Sequence, residues 1–251
     1  MKIGIIGTGA IGSIIARKLR DKGHEIIVNN TSEPLELEKK ARDLGVIAAT
    51  IEQLVKNADV IILSVPTVAI PTLSKSLFQN VSNDVIVVDT SNYYPFRDAE
   101  IEELKNGKVE SVWVSEQLGR PVIKAFNNLL AESLANGGKE TGTEDRIAMA
   151  VSGDDENSKK AVSGLISDMG FDAVDAGTLS ESWRHQPGTP AYCTELNTEE
   201  LKNALKAGVK DTAATYRDLV INTFMKRTTA PTHEEIVELN RSLFPLNPKN
   251  N

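Results

Sequence analysis

Ile3-Gly4-Ile5-Ile6-Gly7-Thr8-Gly9-Ala10-Ile11-Gly12 is the stretch that decides the fold. A short β-forming run ends on a G-x-G-x-x-G spacing (Gly7, Gly9, Gly12). A helical pattern from Ala10 to Lys22 then carries Ile11, Ile14, Ile15 and Leu19 on one face. Three glycines alone are a weak signal, but strand, glycine turn and helix in that order make the dinucleotide-binding fingerprint. Gly7 permits the tight turn, Gly9 lets a pyrophosphate approach the backbone, and Gly12 lets helix and strand pack closely. Thr8, Ala10 and Ile11 complete a loop whose N–H groups and helix dipole favour an anion.

Outward from this turn the pattern repeats. Glu25 to Val28, Val46 to Ala48, Val60 to Leu63 and Val85 to Val88 read as strands. Pro34 to Leu44, Ile51 to Asn57 and Val68 to Phe78 read as the helices between them. Short apolar strands without alternation imply a parallel sheet covered on both faces. Val122 to Phe126 adds a strand and Asn127 to Ala135 a short helix. Arg146 to Ser152, a helix capped at Asp154-Asp155 and running to Met169, and Phe171 to Asp175 form one more βαβ unit, expected to extend the first sheet. The expected class is α/β, a Rossmann-type doubly wound, mostly parallel sheet with a C-terminal helical extension. Residues 1–193 form the dinucleotide-binding domain (core 1–126, βαβ extension 127–193) and residues 194–251 the helical extension.

In that extension, Asn197 with Glu200 and Thr232 with Glu235 have capping-box spacing. They open helices expected over 198–226 and 232–243. The first, if continuous, runs about 43 Å at 1.5 Å per residue, more than one small domain covers. With its stripe of Leu201, Leu205, Val209, Tyr216, Leu219, Val220 and Phe224, it predicts a homodimer. A break at Gly208 is the alternative.

The 251 residues include 28 basic and 35 acidic side chains, a net charge of −7, which disfavours a nucleic-acid partner. The single cysteine, Cys193, leaves no disulfide and no thiol pair for zinc, and His24, His185 and His233 lack metal-ligand spacing, so no metal is expected. There is no uncharged apolar run long enough for a membrane helix, and Met1 to Ile6 lacks a signal-peptide core, so a cytoplasmic location is expected.

The end of the second strand discriminates between cofactors. NAD binders usually carry an acidic residue there for the ribose 2′-OH. Here Asn30, Thr31 and Ser32 can donate hydrogen bonds to a 2′-phosphate, which favours NADP(H), although no Arg or Lys stands between Val28 and Leu37. Ligands in such sheets bind outside the C-terminal strand ends. Ser64-Val65-Pro66 and Ser91-Asn92 are therefore expected to line the crevice beside ribose and nicotinamide.

Beyond these readings, a series of short motifs carries a family resemblance: Gly23-His24-Glu25, Asn30-Thr31-Ser32, Ala58-Asp59-Val60, Ser64-Val65-Pro66, Asp89-Thr90-Ser91-Asn92 and Lys124-Ala125-Phe126-Asn127. Ser152-Gly153-Asp154-Asp155, Gly170-Phe171-Asp172, Val174-Asp175-Ala176-Gly177 and Gln186-Pro187-Gly188-Thr189-Pro190 complete it. Over residues 1 to 193 the chain resembles the NADPH-dependent coenzyme F-420 reductase-like family. The resemblance implies hydride exchange between NADP(H) and a small-molecule acceptor, a flavin or the deazaflavin coenzyme F-420. Members often carry an Arg after the second strand to hold the 2′-phosphate, and Glu33 occupies that position here.

Such a reaction asks the protein mainly for placement. Lys124, at a strand end, is the candidate to stabilise anionic charge on the acceptor, and Asn127 to hold the nicotinamide amide or acceptor carbonyls. The segment Trp183 to Gly188 is a candidate lid. Two alternatives stand beside this reading: a β-hydroxyacid-dehydrogenase-like enzyme, and a non-catalytic NADP(H)-binding sensor.

Overall fold

The strands form where the apolar runs stand. In a computed structural model, which describes residues 1–73 and 75–245, β1 (Lys2–Ile6), α1 (Ala10–Asp21), β2 (Glu25–Asn29), α2 (Pro34–Leu44), β3 (Ile47–Ala48), α3 (Ile51–Asn57) and β4 (Val60–Leu63) follow in order. Pro34 starts α2 where its missing N–H costs nothing, and Gly45, at φ 68°, ends it in the left-handed conformation. The single helix expected over 68–78 is instead a 3-10 turn, Thr67–Thr72, then α4 (Lys75–Gln79). Pro71 lies inside the turn and has no N–H to carry an α-helix through it. Next come β5 (Ile86–Asp89), α5 (Pro95–Asp98), α6 (Glu102–Lys105), α7 (Glu110–Leu118) and β6 (Ile123–Lys124).

Six parallel strands lie in the order β3-β2-β1-β4-β5-β6, the doubly wound arrangement that the alternation implies. Their register aligns the strand tips. Asn29 pairs with Ile6, Ile6 with Leu63, Leu63 with Asp89, and Asp89 with Lys124. Every loop that leaves this row therefore starts at the same height, and strand order reverses between β1 and β4. One face of the sheet is packed by α1 through Ile15 and Leu19, the other by α3 and α7 through Leu54, Trp113 and Val114.

After β6 the chain departs from expectation. The helix expected from Asn127 begins only at Ala131, as α8 (Ala131–Asn136), with Leu130 at its N-cap. Asn127 is buried and bonded elsewhere, so it caps nothing. The βαβ unit, β7 (Ala148–Val151), α9 (Glu156–Asp168) and β8 (Asp172–Asp175), makes its own two-stranded parallel sheet. A single antiparallel bridge ties it to β6: Lys124 N donates to Ser152 O at 2.8 Å and Ser152 N to Lys124 O at 3.0 Å. Val162 and Ile166 of α9 share the apolar cluster of α1, so the second sheet leans on the first through helices.

Both capping boxes form, on α10 (Thr198–Ala207) and α12 (His233–Leu243), but the long helix does not. At Gly208 ψ swings to 138°, ending α10, and α11 (Lys210–Met225) restarts two residues later. Glycine gains least from staying helical, so a turn that lets α11 change direction falls there. Leu201 and Leu205 of the expected stripe are buried within the chain, against Ala148, Ala150 and Val174 of the second sheet. Of α11 only Ala213 is fully buried, while Leu219 and Met225 are 46% and 67% exposed. Helix α12 clamps the turn before α10: Arg241 donates to the carbonyls of Thr194 (2.7 Å) and Glu195 (2.9 Å), and His233 Nε2 lies 2.8 Å from the Glu195 carboxylate.

Candidate active site

The glycine turn has the geometry that its spacing implies. Gly7 sits at φ 101°, and a side chain there would collide with the Ser64 carbonyl. A side chain on Gly12 would strike the Gly7 carbonyl. At Gly9 a β-carbon would meet nothing within 4 Å, so the free space is on the ligand side. Above the row of strand tips lies a cleft of about 360 Å³, within the usual range for ligand sites. Gly9, Ala10, Ile11, Ser64, Val65, Pro66, Ser91, Asn92 and Asn127 of the expected set line it together. A larger hollow, about 640 Å³, opens at the other end of β5 and β6. It is lined by Asp84, Asp154 and Asp155 against one cation, Arg120, an excess of negative charge that does not favour a dinucleotide's phosphates.

Other expected residues stand apart from the cleft. Thr8 accepts a hydrogen bond from Asn30 Nδ2 at 2.6 Å, tying the β2 tip to the glycine turn. The Asn30 carbonyl oxygen of the side chain accepts from Ser32 N at 2.8 Å, a local turn that leaves Thr31 and Ser32 exposed. Lys124 does not reach the cleft. It is 1% exposed, its ammonium 3.1 Å from the fully buried Asp89 carboxylate and bonded also to the Ser91 carbonyl. A buried ammonium needs a counter-charge, and Asp89 beside it on the next strand supplies one. Ser111 Oγ (2.7 Å) and Ser91 N (2.8 Å) complete the shell of Asp89. Glu110, next in this buried group, accepts from Tyr93 N at 3.1 Å. Burial pushes its carboxyl up to about 7, with the Lys124 charge opposing the shift.

The segment expected as a lid is also inside. Leu179–His185 is a 3-10 turn, and His185 is fully buried under the cleft. Burial first, and the Lys124 charge second, hold its imidazole down to about 3, so it is neutral. Asn127 Oδ1, 2.9 Å from Nδ1, can only accept, so Nδ1 carries the proton and Nε2 accepts from Ser152 Oγ at 2.9 Å. Asn127 Nδ2 donates to the His185 carbonyl (2.8 Å) and to Asn92 Oδ1 (3.0 Å), while Asn92 Nδ2 donates to the Asn127 carbonyl. Both Asn127 amide protons are thus engaged within the protein.

Eight lining residues are absent from the expected set, among them Tyr94, Arg97, Phe126 and Tyr192. Tyr94 and Tyr192 join hydroxyl to hydroxyl at 2.8 Å. Arg97 lies over the Tyr94 ring, 5.4 Å from its centre, donates to the Asn92 carbonyl and pairs with the buried Asp98. Phe126 adopts φ 59°, unusual for a bulky residue, where the chain turns from β6 into the cleft wall. The run Tyr93-Tyr94-Pro95-Phe96-Arg97 directly after β5 was the available signal for two of them. Among the described residues no His, Cys, Asp and Glu cluster could hold a metal, and no helix is long and apolar enough to cross a membrane.

Comparison with known proteins bears on the same residues. The family NADP oxidoreductase coenzyme F420-dependent matches residues 2–93, from β1 to the turn after β5. The Escherichia coli K12 protein YjhV is 35% identical over 124 residues, 49% of this chain and 83% of its own length. The crystal structure of protein SMa0349 from Sinorhizobium meliloti is 33% identical, with a TM-score of 0.66 over 78% of this chain and 95% of that one. A protein from Arthrobacter sp. FB24, provisionally described as an F420-dependent NADP reductase, shares the fold at 21% identity and a TM-score of 0.59, covering 72% of this chain and 87% of its own. With the fingerprint, the cleft at the strand tips and these matches converging, the chain belongs to the NADP oxidoreductase coenzyme F420-dependent family and is an NAD(P)-dependent oxidoreductase.

Proposed function

We propose that the protein transfers hydride between NADP(H), bound on the glycine turn, and a flavin-like or deazaflavin acceptor such as coenzyme F-420 in the adjoining cleft. The observation that carries this reading is the open space beyond Gly9, continuous with a cleft bordered by Ser64-Val65-Pro66 and Ser91-Asn92. Ser91 Oγ, buried without a hydrogen-bond partner, also fits a ligand that brings a polar group of its own. The backbone of Gly9, Ala10 and Ile11 would hold the pyrophosphate, and Asn30, Thr31 and Ser32 would lie on the side of the 2′-phosphate. The dinucleotide supplies the hydride and the protein supplies placement. In this reading Lys124 and Asn127 are positioning residues, which fix the Ser91-Asn92 turn from below through the contacts described above.

Anaerobic oxidation of NADPH and NADH by the purified protein, with coenzyme F-420 and with FMN, tests this directly. NADPH-selective turnover with the deazaflavin is expected. Tight NADPH binding without oxidation by either acceptor would overturn the enzyme reading in favour of a sensor. The cofactor preference fails separately if NADH is used equally well.

We also propose a cytoplasmic homodimer formed through α11, whose Leu219 and Met225 are left exposed by its own chain. Light scattering is expected to return twice the mass of one chain, and Leu219→Glu to reduce it to one. A single-chain mass for the unaltered protein would remove the proposal.

A further inference from the structure

The cleft wall opposite the glycine turn is polar in an unusual way. Two tyrosines 98 positions apart in sequence bring their hydroxyls to 2.8 Å, and both line the cleft. Burial pushes both phenols above their usual range, so each keeps its proton at any working pH. A pair of hydroxyls that stays protonated contains one more donor than the pair itself uses. One O–H bonds the other oxygen, and the second O–H is left to point elsewhere.

The two phenols are not equivalent. Tyr192, whose oxygen can accept from the protonated Cys193 thiol, can donate to Tyr94, and this arrangement leaves the Tyr94 O–H for a ligand. Tyr192, for its part, is held with care. Cys193 and Glu195 both adopt left-handed backbone, at φ 54° and 50°, conformations that cost free energy for residues other than glycine. The turn is fixed by Cys193 N on the Asn128 carbonyl (2.9 Å) and by the α12 clamp on Thr194 and Glu195. Strain maintained by several independent bonds is the mark of a preorganised group, and preorganised donors matter most where charge develops during reaction.

We propose that Tyr94, held by Tyr192, is the hydrogen-bond donor to the acceptor: its hydroxyl binds a ring carbonyl oxygen of a conjugated acceptor and stabilises the negative charge that hydride addition drives onto it. This rests on the hydride-transfer reading above. The balance is simple. A hydride leaves a C–H bond of the reduced nicotinamide with its electron pair and forms a bond to the acceptor ring, C–H at the deazaflavin carbon or N–H at the corresponding flavin nitrogen. The nicotinamide is oxidised to the pyridinium and the acceptor is reduced. The displaced π pair of the acceptor is delocalised onto its carbonyl oxygen, where the Tyr94 O–H meets it, and a solvent proton neutralises it later. The acceptor class is then a ring with an oxygen conjugated to its hydride-accepting atom, and a simple aliphatic acceptor is a poor fit.

Tyr94→Phe and Tyr192→Phe each remove one oxygen and keep the ring. Titrating FMN and coenzyme F-420 into protein saturated with NADP⁺ measures the acceptor side without turnover. Tyr94→Phe is expected to weaken acceptor binding about fivefold to tenfold, as loss of one hydrogen bond does. It is expected to slow single-turnover hydride transfer about a hundredfold, the usual cost of removing one oxyanion donor. Tyr192→Phe should give smaller losses in the same direction, and NADP⁺ affinity should stay within twofold in both. Unchanged acceptor binding and unchanged transfer in Tyr94→Phe, with active wild type, would overturn this proposal alone. Failure of wild type to bind NADP⁺, or to bind either acceptor in its presence, would overturn both it and the reading it rests on. If Tyr94→Phe loses its near-ultraviolet dichroism, Tyr192→Phe decides the matter by the same criteria.

Discussion

Gly9→Trp folds normally and no longer binds dinucleotide. The expectation follows from what surrounds the glycine turn, where three glycines serve three different purposes. A side chain at Gly7 or Gly12 runs into backbone carbonyls, of Ser64 and Gly7 respectively, and Gly7 also needs its positive φ. Those contacts cannot be relieved by a rotamer change, so alanine at either site should destabilise the fold itself. Gly9 differs, since its β-carbon meets nothing and its φ of −67° suits any residue. An indole there occupies only the volume a pyrophosphate would take. We expect NADPH affinity to fall by more than about a hundredfold, roughly 2.7 kcal/mol, with the melting temperature within about 2 °C of wild type, as for an exposed substitution. Fluorescence titration and a thermal melt check the two halves independently. Retained affinity would move the nucleotide site away from this turn.

The largest stability loss is expected at Lys124→Met. Its partner Asp89 is 0% exposed, and once the ammonium is gone only Ser111 Oγ and Ser91 N stabilise the carboxylate. Removing one member of a buried ion pair typically costs about 3–5 kcal/mol because the other charge stays desolvated. For a chain of this size that corresponds to a fall of roughly 6–20 °C in melting temperature. Replacing both partners, Asp89→Asn with Lys124→Met, should recover most of the loss, since no charge then remains unpaired. A Lys124→Met protein that melts like wild type but has lost hydride transfer would instead make the lysine a direct participant. Differential scanning calorimetry beside single-turnover kinetics separates the two roles.

The contrast between these residues explains what the sequence reveals. Glycine in a turn is legible because its consequence is local: Gly7, Gly9 and Gly12 act on backbone within a few positions. The capping boxes at Asn197 and Thr232 are legible for the same reason, and so is the alternation that sets the six-stranded order. Lys124 is misread as facing the ligand because a lysine at a strand tip is usually solvated, and its burial depends on Asp89, fixed only by the β5–β6 register. Asn127 reads as a ligand-holding amide because its true partner, His185, is 58 positions away and nothing near it in sequence shows that its amide is already engaged. Tyr94 stands in an aromatic run after β5, but nothing in the sequence links it to Tyr192, 98 positions away, until the fold brings them together. The long helix fails on a single residue, Gly208, whose backbone freedom outweighs the helical spacing around it.

The grip of Arg241 on the turn behind Tyr192 also sets an order of assembly. During synthesis the amino-terminal part of a chain emerges and folds first. The glycine turn and β1 to β5 all lie within the first 89 residues. The turn behind the second tyrosine gains its last restraints, on Thr194 and Glu195, only after α12 has emerged. On the proposed reading the nucleotide side of the cleft is thus encoded before the acceptor side is braced, and a polypeptide interrupted before α12 lacks the grip on Thr194 and Glu195.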